Sequence, residues 1–194
     1  MKIGLYFGSF NPIHIGHMAI ANYMVEFTDL ERVWFVVSPQ NPFKDKKSLL
    51  GDHHRLALVE MAIEDDFRFK ASNIEFHLPQ PSYTVDTLAH LQEKYPEHEF
   101  VLIMGEDNLK GFSKWKNYEF IGANYPLYVY PRSENANLEL DFSHLNLQIV
   151  RAPKMEISSS FIRQSIFEKK DIRHFLPKAT YEYLDQMNFY KQSK

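Results

Sequence analysis

Four runs of the chain are apolar without strict alternation: KIGLYF at 2–7, VWFVV at 33–37, FVLIM at 100–104 and LYVY at 127–130. A strand with apolar side chains on both faces needs cover on both faces, and parallel sheets flanked by helices provide it. The runs stop at Gly8, at Ser38 with Pro39, at Gly105 and at Pro131, and stretches with helical spacing separate them. The chain is therefore expected to be an α/β protein, a three-layer sandwich around a mostly parallel central sheet. In such a sheet the polar turns after the first and fourth strands lie at the carboxyl ends, where ligands bind when the strand order reverses.

The intervening segments fix the rest of the expected architecture. A helix is predicted from Ile15, with Met18, Ala21, Tyr23 or Val25, and Phe27 inward. A second is predicted behind an Asp52 cap, where Leu56, Val59 and Ile63 recur and Leu58 and Ala62 widen the stripe. A third follows the turn at 79–81, capped by Thr84 or Ser82, with Val85, Leu88 and Leu91 inward. The stretch 67–76 reads as a strand, 147–150 as a late strand and 133–143 as a mobile surface loop. Two helices close the chain, at Ser159–Phe167 and from Pro177 to about Met187, the second with Tyr181, Leu184 and Met187 inward.

A length of 194 residues suits one domain, 1–194, large enough to fold without a disulfide or zinc staple. There is no Cys, which excludes thiol catalysis, Cys-ligated zinc and iron–sulfur clusters and fits a reducing compartment. The 22 Lys and Arg against 25 Asp and Glu leave a net charge of −3. That balance argues against a broad nucleic-acid footprint but not against a few cations gathered around one polyphosphate. No apolar stretch approaches the ~18 residues of a spanning helix, and no export signal is visible, so a cytoplasmic protein without a membrane segment is expected. The sequence leaves homo-oligomerisation open.

The densest chemical signal is Gly8-Ser9-Phe10-Asn11-Pro12-Ile13-His14-Ile15-Gly16-His17. Its two histidines straddle the predicted start of a helix, where imidazole donors and the helix's open N–H groups together suit an anion such as phosphate. Gly8 and Gly16 let backbone approach a ligand where a Cβ would intrude. On spacing alone, a loop and helix cap with two surface histidines explains the segment equally well. Zinc ligation by the pair is disfavoured, because neither Cys nor a nearby acid completes a set.

The segment resembles the phosphate-binding signature GGTFDPIHxGH of the HxGH nucleotidyltransferase superfamily, with Phe7, Ser9 and Asn11 in place of Gly, Thr and Asp. Further matches follow in order. Ser82-Tyr83-Thr84-Val85-Asp86-Thr87-Leu88 is similar to SYTxDTL, and Gly105-Glu106-Asp107 to a GAD stretch with Glu for Ala. Ser113-Lys114-Trp115 resembles PKW, and Ile157-Ser158-Ser159-Ser160-Phe161-Ile162-Arg163 resembles ISSTxIR. Pro39 to Lys44 resembles PxxxPHK with Phe43 for His. Over nearly its whole length the chain resembles the bacterial nicotinate-nucleotide adenylyltransferases, which make deamido-NAD from nicotinate mononucleotide and ATP.

The resemblance implies a Rossmann-like fold of nucleotidyltransferase type whose C-terminal helical part, about 155–194, completes the ATP site. It implies a catalytic set of His14, His17, Lys44 and Arg163. ATP contacts then fall on Gly8, Ser9, Phe10, His14, Gly16, His17, Gly105, Asp107, Ile157, Ser158 and Arg163, with the last three at the β- and γ-phosphates and the Gly105–Asp107 stretch at the ribose. Nicotinate mononucleotide contacts fall on Asn11, Lys44, Thr84 and Trp115. ATP is a substrate and Mg²⁺ is carried mainly by its phosphates, with no protein metal site. Arg55 also matches a recurrent position, although a surface ion pair accounts for it nearly as well, and a solubilising side chain is the weaker reading of Lys44. A relative acting on nicotinamide mononucleotide, phosphopantetheine or glycerol 3-phosphate, a nucleotide sensor, and a nucleic-acid adaptor are the weaker readings.

Overall fold

A computed structural model describes residues 1–39, 49–131 and 145–191. Strands β1 (Lys2–Gly8), β2 (Arg32–Val37), β3 (Phe69–Ser72), β4 (Glu99–Gly105), β5 (Leu127–Tyr130) and β6 (Leu147–Ile149) form one sheet in the order β3-β2-β1-β4-β5-β6. Every neighbouring pair is parallel. The order reverses between β1 and β4, which places a crevice beyond their carboxyl ends. Gly8 pairs with Val37 and Gly105 with Tyr130 at that edge.

Successive side chains of each strand feed opposite layers. Tyr6, Phe35 and Ile103 pack with helices α1 (Ile15–Phe27), α2 (Asp52–Ile63), α6 (Ser159–Phe167) and α7 (Lys178–Gln186) through Ile20, Leu58, Ile162 and Leu184. Leu5, Trp34 and Leu102 face α3 (Thr84–Lys94), α4 (Glu106–Lys110) and α5 (Tyr118–Asn124) through Leu88, Leu109 and Ile121. Each such aliphatic side chain contributes about 1.5–3 kcal/mol when fully buried, so the two layers rather than isolated helix propensity hold the elements. This is the three-layer α/β arrangement expected from the apolar runs.

Several local expectations are corrected. The stretch 67–76 supplies only β3, then turns through a short 3₁₀ segment at Ile74–His77 that buries Ile74 and Glu75. In α1 the buried side chains are Ile20, Ala21 and Met24, with Met18, Tyr23 and Val25 partly buried against the same core as expected, while Phe27 is 68% exposed. Asp52 is the first residue of α2 rather than its cap, which is Gly51, and the buried stripe is Arg55, Leu58, Val59 and Ala62. Neither Thr84 nor Ser82 caps α3; Tyr83 occupies that position without a side-chain bond. Helices α4 and α5, unpredicted, fill the link from β4 to β5, and Met187 lies outside α7 and is exposed. The loop expected at 133–143 lies outside the described residues.

Candidate active site

Beyond the ends of β1 and β4 opens a cleft of about 680 Å³. Its floor is the turn between β1 and α1. Phe10 there has φ 43, a left-handed conformation that costs a side-chain-bearing residue about 1–2 kcal/mol. Burial offsets that cost: the Phe10 ring is 2% exposed and packs edge-on against Tyr6, Phe35 and His17. A Cβ at Gly8 would lie 2.8 Å from the Phe10 ring, and one at Gly16 would lie 2.9 Å from His14 Nδ1. The two glycines are thus required first by the turn's own rings, a tighter constraint than the ligand clearance expected from sequence.

The His14 and His17 rings stack with centroids 3.7 Å apart. His14 is 4% exposed, and its backbone N–H donates to His17 Nδ1 at 3.2 Å. Accepting at Nδ1 leaves the proton of the neutral His17 ring on Nε2. Tyr6 and Phe10 wall the His17 ring on other sides, so it is held in place as it borders the cleft. The histidines predicted to act together do lie together at the helix start.

Beside this turn, Ser158 caps α6 by accepting from the Phe161 N–H at 3.1 Å, as hydroxyls at a helix start do. Ser159 Oγ donates to the Pro12 carbonyl at 2.9 Å, and Arg163 Nη1 donates to the Asn11 carbonyl at 2.8 Å. These bonds seat α6 on the signature turn and bring Ile157, Ser158 and Arg163 to the same cleft as Ser9, His14 and His17. Among the described residues no carboxylate pairs with Arg163; its Nη2 donates to Ser160 Oγ at 3.2 Å and its side chain lines the cleft.

Asn11 borders the cleft but also ties it together. Its Oδ1 accepts from the Leu50 N–H at 3.1 Å and from the Tyr190 hydroxyl near the C-terminus. Burial pushes the Tyr190 hydroxyl's pKa up, with Arg163 and Arg55 opposing, so it remains a donor. The third wall carries Thr84 at the start of α3 and Trp115 after a 3₁₀ turn at Phe112–Lys114. Trp115 leans on Phe112 with centroids 5.4 Å apart. Lys116 links the two by pairing with Asp86 at 2.9 Å while lying over the Tyr83 ring. Asp107 borders the cleft at the start of α4, whereas Gly105 closes β4 and sets Asp107 in place without lining the opening. Glu106, where Ala is usual, is buried and paired with Lys110 at 2.7 Å. Lys44 lies outside the described residues.

Two buried groups behind the walls were not read from sequence as site supports. Arg55 is fully buried rather than on the surface. It donates to the carbonyls of Ser9 and Ser38 at 2.7 Å, Leu50 at 2.9 Å and Pro39 at 3.1 Å, and pairs with Asp52 at 2.6 Å. Burial lowers its pKa and Asp52 counters that. Glu75, 3% exposed and at the cleft's edge, accepts from the Thr87 hydroxyl at 2.8 Å and the Ser82 hydroxyl at 3.1 Å.

Residues 5–165 match the family model described as cytidylyltransferase-like. A probable nicotinate-nucleotide adenylyltransferase of Flavobacterium johnsoniae is 58% identical over 194 residues, covering 99% of this chain and 100% of that protein. The chain belongs to the nicotinate-nucleotide adenylyltransferase family. A second family member, from Flavobacterium psychrophilum, is 56% identical over 193 residues, with 99% and 100% covered. The fold is that of a solved Plasmodium falciparum nicotinic acid mononucleotide adenylyltransferase complexed with NaAD, at TM-score 0.80 and 22% identity, with 97% of each chain covered. Among the described residues no helix is long and apolar enough to cross a membrane.

Proposed function

We propose that the cleft transfers the adenylyl group of ATP to nicotinate mononucleotide, forming deamido-NAD and pyrophosphate. The observation that carries this reading is the joining of the histidine stack to the Ser158–Arg163 wall, with Thr84 and Trp115 lining the same cleft, within a chain of this family. The 5′-phosphate oxygen of the mononucleotide attacks the α-phosphorus of ATP, and the bond to the bridging oxygen of the β-phosphate breaks. The attacking oxygen is already an anion, so no covalent protein nucleophile or general base is needed. What the chain must supply is alignment of two phosphates that repel each other and donors where charge builds.

His14, His17 and the open N–H groups of α1 take that role at the α-phosphate, with Gly8, Ser9, Phe10 and Gly16 shaping the backbone around ATP. Ile157, Ser158 and Arg163 hold the β- and γ-phosphates, and Asp107, placed by Gly105, meets the ribose. Thr84 and Trp115 receive the pyridine ring, and Asn11 and Lys44 complete the mononucleotide side. The part from about 155 onward completes the ATP site of one nucleotidyltransferase domain spanning 1–194. Mg²⁺ would be carried mainly on the triphosphate of ATP. There it would offset phosphate charge. The reading places the reaction in the cytoplasm, with no nucleic-acid partner.

Incubating the protein with ATP, Mg²⁺ and each of nicotinate mononucleotide, nicotinamide mononucleotide, phosphopantetheine and glycerol 3-phosphate tests this. Pyrophosphate and deamido-NAD in equal amounts are expected with the first. ATP binding without pyrophosphate release, or turnover only with another acceptor, would overturn it.

A further inference from the structure

The mononucleotide wall has a support of its own. Helix α3 begins at Thr84, and its cap residue, Tyr83, makes no side-chain bond to the first turn. Helices of this length normally gain about 1 kcal/mol from a Ser, Thr, Asp or Asn cap, so an uncapped start bordering a cleft must be held some other way. The holding group is Glu75. One carboxylate oxygen takes the Ser82 hydroxyl at 3.1 Å and the other takes the Thr87 hydroxyl at 2.8 Å. The grip therefore falls on both sides of Tyr83 and Thr84, two residues that border the cleft.

Glu75 is itself fixed. It lies in the buried 3₁₀ turn after β3, and its carbonyl accepts from Gln80 Nε2 at 2.9 Å. An acid 3% exposed is costly unless its oxygens are satisfied. Burial raises the pKa of this carboxyl, while the Thr87, Ser38 and Ser82 hydroxyls draw it back. Ser38, at the end of β2, also borders the cleft. A group with only core-filling duty would be served by an apolar side chain at lower desolvation cost.

We propose that Glu75 is a positioning residue for mononucleotide recognition, acting through Ser82 and Thr87 to aim the open first turn of α3 into the cleft. The inference rests on the functional reading given above. It makes Glu75 selective: loosening the start of α3 disturbs the pyridine side, whereas the histidine turn and Arg163 are held by separate bonds to Pro12 and Asn11.

Steady-state kinetics of Glu75→Gln test it, since Gln keeps the volume but has one carbonyl acceptor in place of two carboxylate oxygens. The KM for nicotinate mononucleotide should rise about 5–10-fold while that for ATP stays within about 2-fold. Ser82→Ala, which removes one donor without touching the acid, should move the same constant in the same direction. The double variant Glu75→Gln with Thr87→Val should be no worse than the worse single, because both cut one linkage. Equal rises in both KM values, a loss of thermal stability with neither KM altered, or multiplying effects in the double variant would overturn the positioning role. If Glu75→Gln does not fold, Ser82→Ala and Thr87→Val decide by the same criterion. Wild-type protein that turns over normally beside such results sinks this proposal alone; wild-type protein that releases no pyrophosphate sinks the functional reading and this inference together.

Discussion

Arg163 Nη1 lies 2.8 Å from the backbone carbonyl of Asn11, 152 residues earlier in the chain. One edge of the guanidinium thus anchors α6 to the signature turn while the side chain lines the cleft. Arg163→Lys keeps the charge but loses the planar fork, and a single ammonium cannot hold both the turn and a phosphate in the same geometry. The KM for ATP should rise about tenfold with the mononucleotide KM nearly unchanged. Binding measurements with the reverse pattern would move Arg163 away from the triphosphate.

His17 is ordered by three rings and by the His14 N–H. Loss of a preorganised donor at developing charge lowers turnover by roughly 10²-fold or more, and His17→Ala should show that drop in kcat/KM. His17 is partly exposed, so its thermal midpoint should stay within a few degrees of wild type. Equal turnover would remove His17 from the mechanism.

Tyr190 tests whether the end of the chain serves the site. Its hydroxyl donates to Asn11 Oδ1, a contact spanning 179 residues. Tyr190→Phe retains the ring and should lower kcat/KM for nicotinate mononucleotide about fivefold, the worth of one neutral hydrogen bond. An unchanged kcat/KM would show that the Leu50 N–H alone suffices to hold Asn11.

Arg55 is the main buried charge behind the turns. Arg55→Met removes its donors from the carbonyls of Ser9, Ser38, Pro39 and Leu50. Leaving such groups unpaired in the interior should cost about 3–5 kcal/mol, read by urea denaturation, together with reduced activity from a loosened turn. A loss below about 1 kcal/mol would mean that water replaces the guanidinium.

What could be read from sequence divides along physical lines. Apolar runs specify buried parallel strands because burial on both faces leaves no choice of side chain, and β1, β2, β4 and β5 follow them closely. The phase of α1 was less legible: Phe27 is as apolar as Met24, but only packing shows that Met24 faces the sheet. Arg55 did carry a signal. It stands three, four and seven residues before Leu58, Val59 and Ala62, on the same buried stripe. A charge on such a stripe is buried and must find acceptors, which a surface ion pair would not require. Glu75 and Tyr190 had no comparable local mark. Their partners lie in other segments, and periodicity within one element cannot report on them.

The acid and amide forms of the mononucleotide differ by one group, and the α3 wall is where the cleft can tell them apart. Trp115, packed on Phe112, offers a ring face that stacks on either pyridine, so it supplies affinity with little discrimination. Discrimination falls to donors. The start of α3 has no side-chain cap, so its first N–H groups and the Thr84 hydroxyl can serve an acceptor. A carboxylate accepts only and is favoured at a helix N-terminus, whereas an amide would set its own N–H₂ against these donors. Unmatched polar contacts of this kind discriminate by about 10²-fold or more, beyond what apolar fit supplies. The kcat/KM for nicotinate mononucleotide should therefore exceed that for the amide by at least about that factor. Trp115→Ala should lower both values with the ratio nearly kept, and Thr84→Val should reduce the ratio. Comparable wild-type efficiency with the two substrates would defeat the preference, and an unchanged ratio in Thr84→Val would leave recognition to the backbone N–H groups of α3.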